Sequence, residues 1–186
     1  MNNAERLRTL ATTAKQREFD YDFLAGWEGC ITWDAAEMRQ PVVYPGAFVV
    51  EEEDVLAYNR ALGETDPLFV DPAYAREHAP HGTVLVHPVF ITTIAFWLAK
   101  QGSPMSWIRT PGARNPFQRI EVRDRIRVGD RLTMRQENSD RFIRRGKPYI
   151  TTHATILDEH GIEKAEIWAT LILPPSREDV QRFATI

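Results

Sequence analysis

The 186-residue sequence has a single cysteine, Cys30, so an intrachain disulfide and a cysteine-based zinc cluster are both excluded. It has no surplus of positive charge: 23 Lys and Arg against 26 Asp and Glu give a formal net charge of −3, too little field to grip a phosphate backbone. It has no long apolar run either. The most apolar stretch, 84–99, is shorter than the roughly 20 residues a bilayer requires, and His87 and Pro88 interrupt it. The first residues, Met1 to Leu7, are polar and lack the apolar core of a secretory signal. A soluble, cytoplasmic protein with no nucleic-acid or membrane partner is expected. With 43% hydrophobic and 26% charged residues the chain is of ordinary globular composition and long enough to bury a core without a metal.

Residues 1–40 read as an N-terminal helical extension and 41–186 as one domain. In the extension Leu7, Leu10, Ala11 and Ala14 fall at helical spacing, and a second helical piece is expected over 21–27. Residues 41–50 read as loop running into strand. Glu51, Glu52, Glu53 and Asp54 then place four carboxylates at a helix start, where the helix dipole favours them, and Gly63 stands where a C-terminal cap belongs. Asp71 and Pro72 open a short helix ending near His78. A further helix is expected from Pro88 to Lys100, capped by Gly102. It is apolar on nearly every face, which predicts a helix surrounded by protein, with Phe96 and Trp97 in the core. From residue 115 the period changes to two, and strands are expected over 116–124, 131–142, 147–157 and 163–173. Turns fall at Gly129-Asp130, Arg145-Gly146 and 159–161. Short helices, one buried helix and an antiparallel meander make an α+β protein of hot-dog type, a sheet wrapped around a single helix.

Three segments carry a resemblance: Tyr58 to Ala75, Val86-His87-Pro88-Val89-Phe90, and Arg127-Val128-Gly129-Asp130-Arg131-Leu132. In order and spacing they resemble the MaoC-like dehydratase family, in particular its FAS1-like dehydratase branch. The resemblance implies a hot-dog fold and hydration of trans-2-enoyl thioesters, or dehydration of (R)-3-hydroxyacyl thioesters, on coenzyme A or an acyl carrier protein. No cofactor and no metal are implied; the thioester is the substrate. A second hot-dog subunit, identical or different, is implied as partner.

The reaction needs two positioned acid/base groups, one for water and one for the α-carbon, and backbone N–H donors for the thioester oxygen. Family members use Gly-Asp-x-Asn-Pro-x-His-x-Asp for the first requirement and Ala-His-Gly at the central helix for the second. Here Glu64 stands at the Asp position, Asp66 at the Asn position and Phe69 at the His position, while His87 is kept and Pro88 replaces the glycine. Phe69 moves no proton and Pro88 has no N–H. Three readings follow. The first is a non-catalytic, acyl-shaping subunit of a heteromeric (R)-specific enoyl-CoA hydratase or 3-hydroxyacyl dehydratase. In it Pro67, Leu68, Phe69, His87, Pro88, Val89 and Phe90 line the substrate, and the partner moves the protons. The second is a self-sufficient hydratase using Glu64 or Asp66 with His87. The third is a non-enzymatic acyl-thioester binder. Each candidate also has an ordinary structural role: Asp66 in an Asx-turn, Glu64 as a loop carboxylate, His87 as a packing residue. Arg141, Arg144, Arg145 and Lys147 form a basic hairpin tip, a solvated turn or a seat for coenzyme A phosphates.

Overall fold

A computed structural model describes residues 3–21, 29–99, 107 and 110–185. The helical piece expected over 21–27, and the Lys100 and Gly102 end of the central helix, lie almost wholly outside the described residues.

The four strands follow the two-residue period closely: β3 (Arg114–Val122), β4 (Arg131–Arg144), β5 (Lys147–Leu157) and β6 (Glu163–Ile172). Along β6 the side chains of Ala165, Ile167, Ala169 and Leu171 are buried, while Glu166, Trp168 and Thr170 are half-exposed, as a one-sided sheet requires. Arg145 and Gly146 both have positive φ (51° and 72°), the two-residue turn whose twist matches a hairpin. Two short strands, β1 (Val42–Val43) and β2 (Phe48–Val49), both pair antiparallel with β4.

The pairing corrects the expected meander. The order is β1-β4-β5-β6-β3, so β3 lies against β6, Val122 opposite Ala165, at the far edge from β4. The chain crosses the sheet between β3 and β4, through residues 123–130, and that crossing forms one wall of the site described below.

Between β2 and β3 come α3 (Glu52–Ala61), α4 (Pro67–Val70), α5 (Pro72–His78) and α6 (Phe90–Leu98). At the end of α3, Gly63 (φ 74°) lets its own N–H bond the Arg60 carbonyl and the Glu64 N–H bond the Asn59 carbonyl, a Schellman closure. Asp71 caps α5 through the Ala73 and Tyr74 amides, as its Asp-Pro start predicts. The central helix α6 begins at Phe90, two residues later than Pro88 suggests. Phe90, Ile91, Ile94 and Leu98 are buried against Phe48, Leu132, Met134, Ile156 and Ile167. Among the described residues its opposite face is only partly covered: Val89, Thr93 and Phe96 are exposed, Phe96 at 41% although its ring meets Trp107 at 5.7 Å. The expectation of a helix enclosed on all sides is therefore not met at Phe96, because Phe19 and Tyr21 of the extension face Thr93, Phe96 and Trp97 across a cavity rather than packing onto them. Among the described residues the outer edge of β3 has no strand partner, and Phe117 on it is 58% exposed.

The extension is two short helices, α1 (Asn3–Arg8) and α2 (Ala14–Glu18), rather than one stripe. Thr13 and Gln16 make a capping box that starts α2, and Leu10 is left 70% exposed. The acidic start of α3 holds α2 in place. The Lys15 ammonium donates to Glu51 (2.6 Å) and to Asp54 (2.7 Å), and the Ala14 amide donates to Glu53 (3.1 Å). Residues 31–39, assigned above to the extension, are bonded to the sheet: the Trp33 indole donates to the Tyr149 carbonyl and the Asn138 amide group to the Glu37 carbonyl. A short helix, α7 (Val180–Ala184), ends the chain.

Candidate functional site

The functional loop hangs on Asn59. This side chain is fully buried, and its Nδ2 donates to the Phe69 carbonyl (2.9 Å) and to the Leu85 carbonyl (3.0 Å). One amide thereby ties α3 to α4 and to the segment entering α6. Without it two partly buried carbonyls would lose this donor, and an unmet buried polar group costs about 1–3 kcal/mol. The Leu85 amide completes the tie by donating to the Leu68 carbonyl.

That tie brings three of the candidates together. Phe69, His87 and Pro88 line one cavity of about 200 Å³, with His81, Thr83 and Leu85 on the same side and Val122, Arg125, Ile126 and Arg127 opposite. Phe90 faces a different cavity, while Pro67, Leu68 and Val89 line neither. Pro88 and Val89 are exposed.

Each polar candidate is already engaged. Asp66 caps α4 by accepting from the Leu68 amide (2.9 Å). Glu64 Oε1 accepts from its neighbours' amides, Thr65 at 2.8 Å and Asp66 at 3.1 Å. The Asp66 amide first, then the Thr65 amide, and more weakly the positive field of His87, hold the Glu64 carboxyl below the usual glutamate value. A lowered pKa makes it a weaker base. His87 Nδ1 lies 3.3 Å from the Val89 amide and accepts from it, and the His87 carbonyl accepts from the Phe90 amide (2.9 Å). At the entrance to α6 Pro88 therefore offers no donor, and the next two amides are taken by His87.

The opposite wall was not legible in the sequence. Lys164 is 1% exposed and donates to Asp124 (2.7 Å), with Asp158 at 3.5 Å and Asp130 at 3.7 Å. Burial disfavours its charge, but the Asp124 hydrogen bond and the nearby carboxylates outweigh this and raise its pKa above the ordinary lysine value. Asp130 in turn accepts from the Arg127 amide (2.9 Å). This ionic knot fixes residues 124–130, and with them Arg125 and Arg127 at the cavity. The basic hairpin at 141–147 is at the other end of β4, a 14-residue strand of about 45 Å. There the Arg141 guanidinium stacks on Trp33 (4.9 Å) and donates to the Trp33 carbonyl, so it does not serve this cavity.

The remaining histidines have structural partners. His78 stacks on Tyr74 at 4.0 Å, and His153 stacks on Trp168 while its Nε2 meets Glu166 at 2.9 Å. Among the described residues, the Glu51, Glu53 and Asp54 carboxylates come close enough together for a cation, but Lys15 sits on two of them.

Comparison with known proteins places this geometry. A family model described as the FAS1-like, dehydratase domain region matches residues 38–167. No curated protein matches the chain. Among solved structures the chain is similar to R-hydratase PhaJ1 from Pseudomonas aeruginosa, with 17% identity over 79% of this chain and 88% of that one, at a TM-score of 0.61. It is similar to the HadBC (3R-hydroxyacyl-ACP dehydratase) complex from Mycobacterium tuberculosis, with 21% identity over 74% and 98%, at 0.62. It also resembles the ChsH1-ChsH2 complex from the same organism, with 18% identity over 77% and 88%, at 0.55. At these identities the likeness is one of fold: an α+β hot dog, its sheet wrapped around a central helix.

Proposed function

Because the chain belongs to the FAS1-like dehydratase family, we propose that it is the acyl-shaping, non-catalytic subunit of a heteromeric (R)-specific enoyl-CoA hydratase or 3-hydroxyacyl dehydratase. One observation carries this reading: the mouth that holds His87 has a phenyl ring and a pyrrolidine where the reaction needs a proton carrier and an amide donor. Addition of water requires a base near the β-carbon, a proton for the α-carbon and donors on the thioester oxygen. Glu64 and Asp66 are occupied by backbone amides, and the Val89 and Phe90 amides by His87.

In this role the chain supplies surface and charge. Arg125 and Arg127 give the mouth a positive rim that suits the phosphates of coenzyme A or of a carrier protein's prosthetic arm. Phe69 and Ile126 line it with apolar surface. The outer edge of β3 and the exposed Val89 and Phe96 of α6 suit a second hot-dog subunit, which brings the catalytic pair. HadBC and ChsH1-ChsH2 are complexes of the same fold, which supports such a pairing.

A second reading has one observation in its favour: Glu64 and His87 lie close enough for the His87 field to act on the Glu64 carboxyl. In that reading the pair hydrates enoyl thioesters unaided. The test is to assay enoyl-CoA hydration by the chain mixed with a small hot-dog protein that carries an intact Asp and His pattern. Activity in the mixture that disappears when the partner's catalytic pair is mutated, and persists in Glu64→Gln, supports the subunit reading. Loss of activity in Glu64→Gln supports the second. Thioester binding with no turnover in any combination leaves a binding protein.

A further inference from the structure

A second and larger cavity of about 370 Å³ lies between α2, α3 and α6, within the usual size range of small-molecule sites (~300–1,000 Å³). Phe19 and Tyr21 close it from the extension, Phe48 from β2, Tyr58 from α3, and Phe90 and Trp97 from α6. Its few polar groups are matched among themselves. Lys15 and Asp54 pair at 2.7 Å, and the Gln16 side-chain Oε1 accepts from the Thr12 amide at 2.7 Å. Tyr58 lines this cavity, its ring centroid 4.9 Å from that of Phe90 and 6.2 Å from the imidazole of His87, a residue that lines the other.

We propose that residues 13–21 are a specificity-determining wall, and that the chamber they close takes a flat, ring-bearing apolar acyl group. The proposal rests on the acyl-thioester reading of the mouth and names the substrate class that reading leaves open. The rings of the chamber present both edges and faces. Phe48 meets Trp97 at 6.0 Å and 80°, and Phe90 at 6.0 Å and 73°, while Phe19 lies 5.9 Å from Trp97 at 36°. Edge-to-face and offset contacts reward a rigid ring beyond its buried area, and a straight alkyl chain gains no such directional term. The extension wall is pinned rather than loosely laid: Lys15 is held by Glu51 and Asp54 and lies 5.1 Å from the Phe48 ring centroid.

The test is equilibrium binding of methyl 2-naphthoate, a neutral ring ester without a carrier, followed by quenching of the Trp97 emission and compared with methyl octanoate. The full chain, Phe19→Ala, Lys15→Ala and a Trp97→Phe control are used. The expected result is preference for the naphthoate, a loss of about tenfold in Phe19→Ala and in Lys15→Ala, and no quenching in Trp97→Phe. Equal affinity for the two esters, an unchanged naphthoate affinity in both wall variants, or a variant effect confined to association with a second hot-dog subunit overturns the proposal. Failure of coenzyme A thioesters to bind, with the naphthoate result intact, overturns the reading of the mouth and leaves the chamber standing.

Discussion

The Asn59 side chain donates 2.9 Å to the carbonyl of Phe69, whose ring lines the cavity mouth, and the same Nδ2 reaches Leu85 just before the central helix. The position of the phenyl ring at the mouth is thus set from α3. Asn59→Ala removes this donor from two partly buried carbonyls and unties α3 from α4. It is expected to cost about 2–4 kcal/mol in urea unfolding. A cost below about 0.5 kcal/mol, the ordinary surface range, would remove Asn59 from this role.

Lys164 gives a prediction with a pH signature. The Lys164 hydrogen bond holds the Asp124 carboxyl below its ordinary 3.8. For Asp158, burial pushes the other way but is outweighed by the Ile162 and His160 amides and by Lys164. A carboxyl whose folded pKa is lowered adds stability that is present above its ordinary value and lost as pH falls through the folded one. Wild-type stability should therefore fall as the pH drops below about 4. Lys164→Met leaves the carboxylates without their cation, with an expected loss of about 3 kcal/mol at neutral pH. The gap to wild type should narrow on acidification; thermal melts across the acid range that stay parallel would contradict this.

The wall formed by the extension can be checked without any ligand. Lys15→Ala removes the cation shared by Glu51 and Asp54 and leaves the Ala14 to Glu53 hydrogen bond to hold α2 against α3. Limited trypsin digestion should cut faster at the exposed Arg17 in this variant, while sites within β4 and β5 keep their wild-type rates. Unchanged cleavage at Arg17 would show that the ion pair does not pin the helix.

Much of the fold was legible, and the exceptions have physical causes. The strands 131–142 and 147–157 announced themselves by a two-residue period and a Gly-containing turn, both local signals. The pairing of β3 with β6 is non-local, and no period encodes it. The apolar circumference of α6 correctly signalled burial of Ile91 and Ile94 but not the exposure of Val89 and Phe96, which differ from them only in the direction they face. The acids at 51–54 read as a dipole signal, and Lys15 is their partner 36 to 39 residues upstream. Lys164 was invisible because a lysine in a strand reads as solvent-facing, and its three aspartates are scattered over residues 124–158. At the mouth, the joint placement of Phe69, His87 and Pro88 on one cavity agrees with their shared place in the motif pattern, while Pro67, Leu68 and Val89 lie off it. The Arg125 and Arg127 rim was missed in favour of the hairpin cluster, because clustering along the chain drew attention away from a crossing whose importance is spatial.

Rebuilding the missing groups offers a gain-of-function check. Phe69→His combined with Glu64→Asp returns the acid/base pair, and Pro88→Gly returns an N–H at the α6 entrance. The triple variant should hydrate crotonyl-CoA measurably above the parent chain, with Pro88→Gly alone giving no gain. A triple variant that folds, binds thioester and stays inert would mean that something other than these positions silences the site.

The account stands or falls on the chain by itself. Crotonyl-CoA hydration should be measured with a homogeneous preparation of this polypeptide, followed by loss of the enoyl thioester absorbance, beside Glu64→Gln and His87→Ala. The expected rate is that of buffer for all three proteins. Sustained turnover by the wild-type chain that is abolished in either variant would contradict the claim that this mouth lacks the means to move a proton.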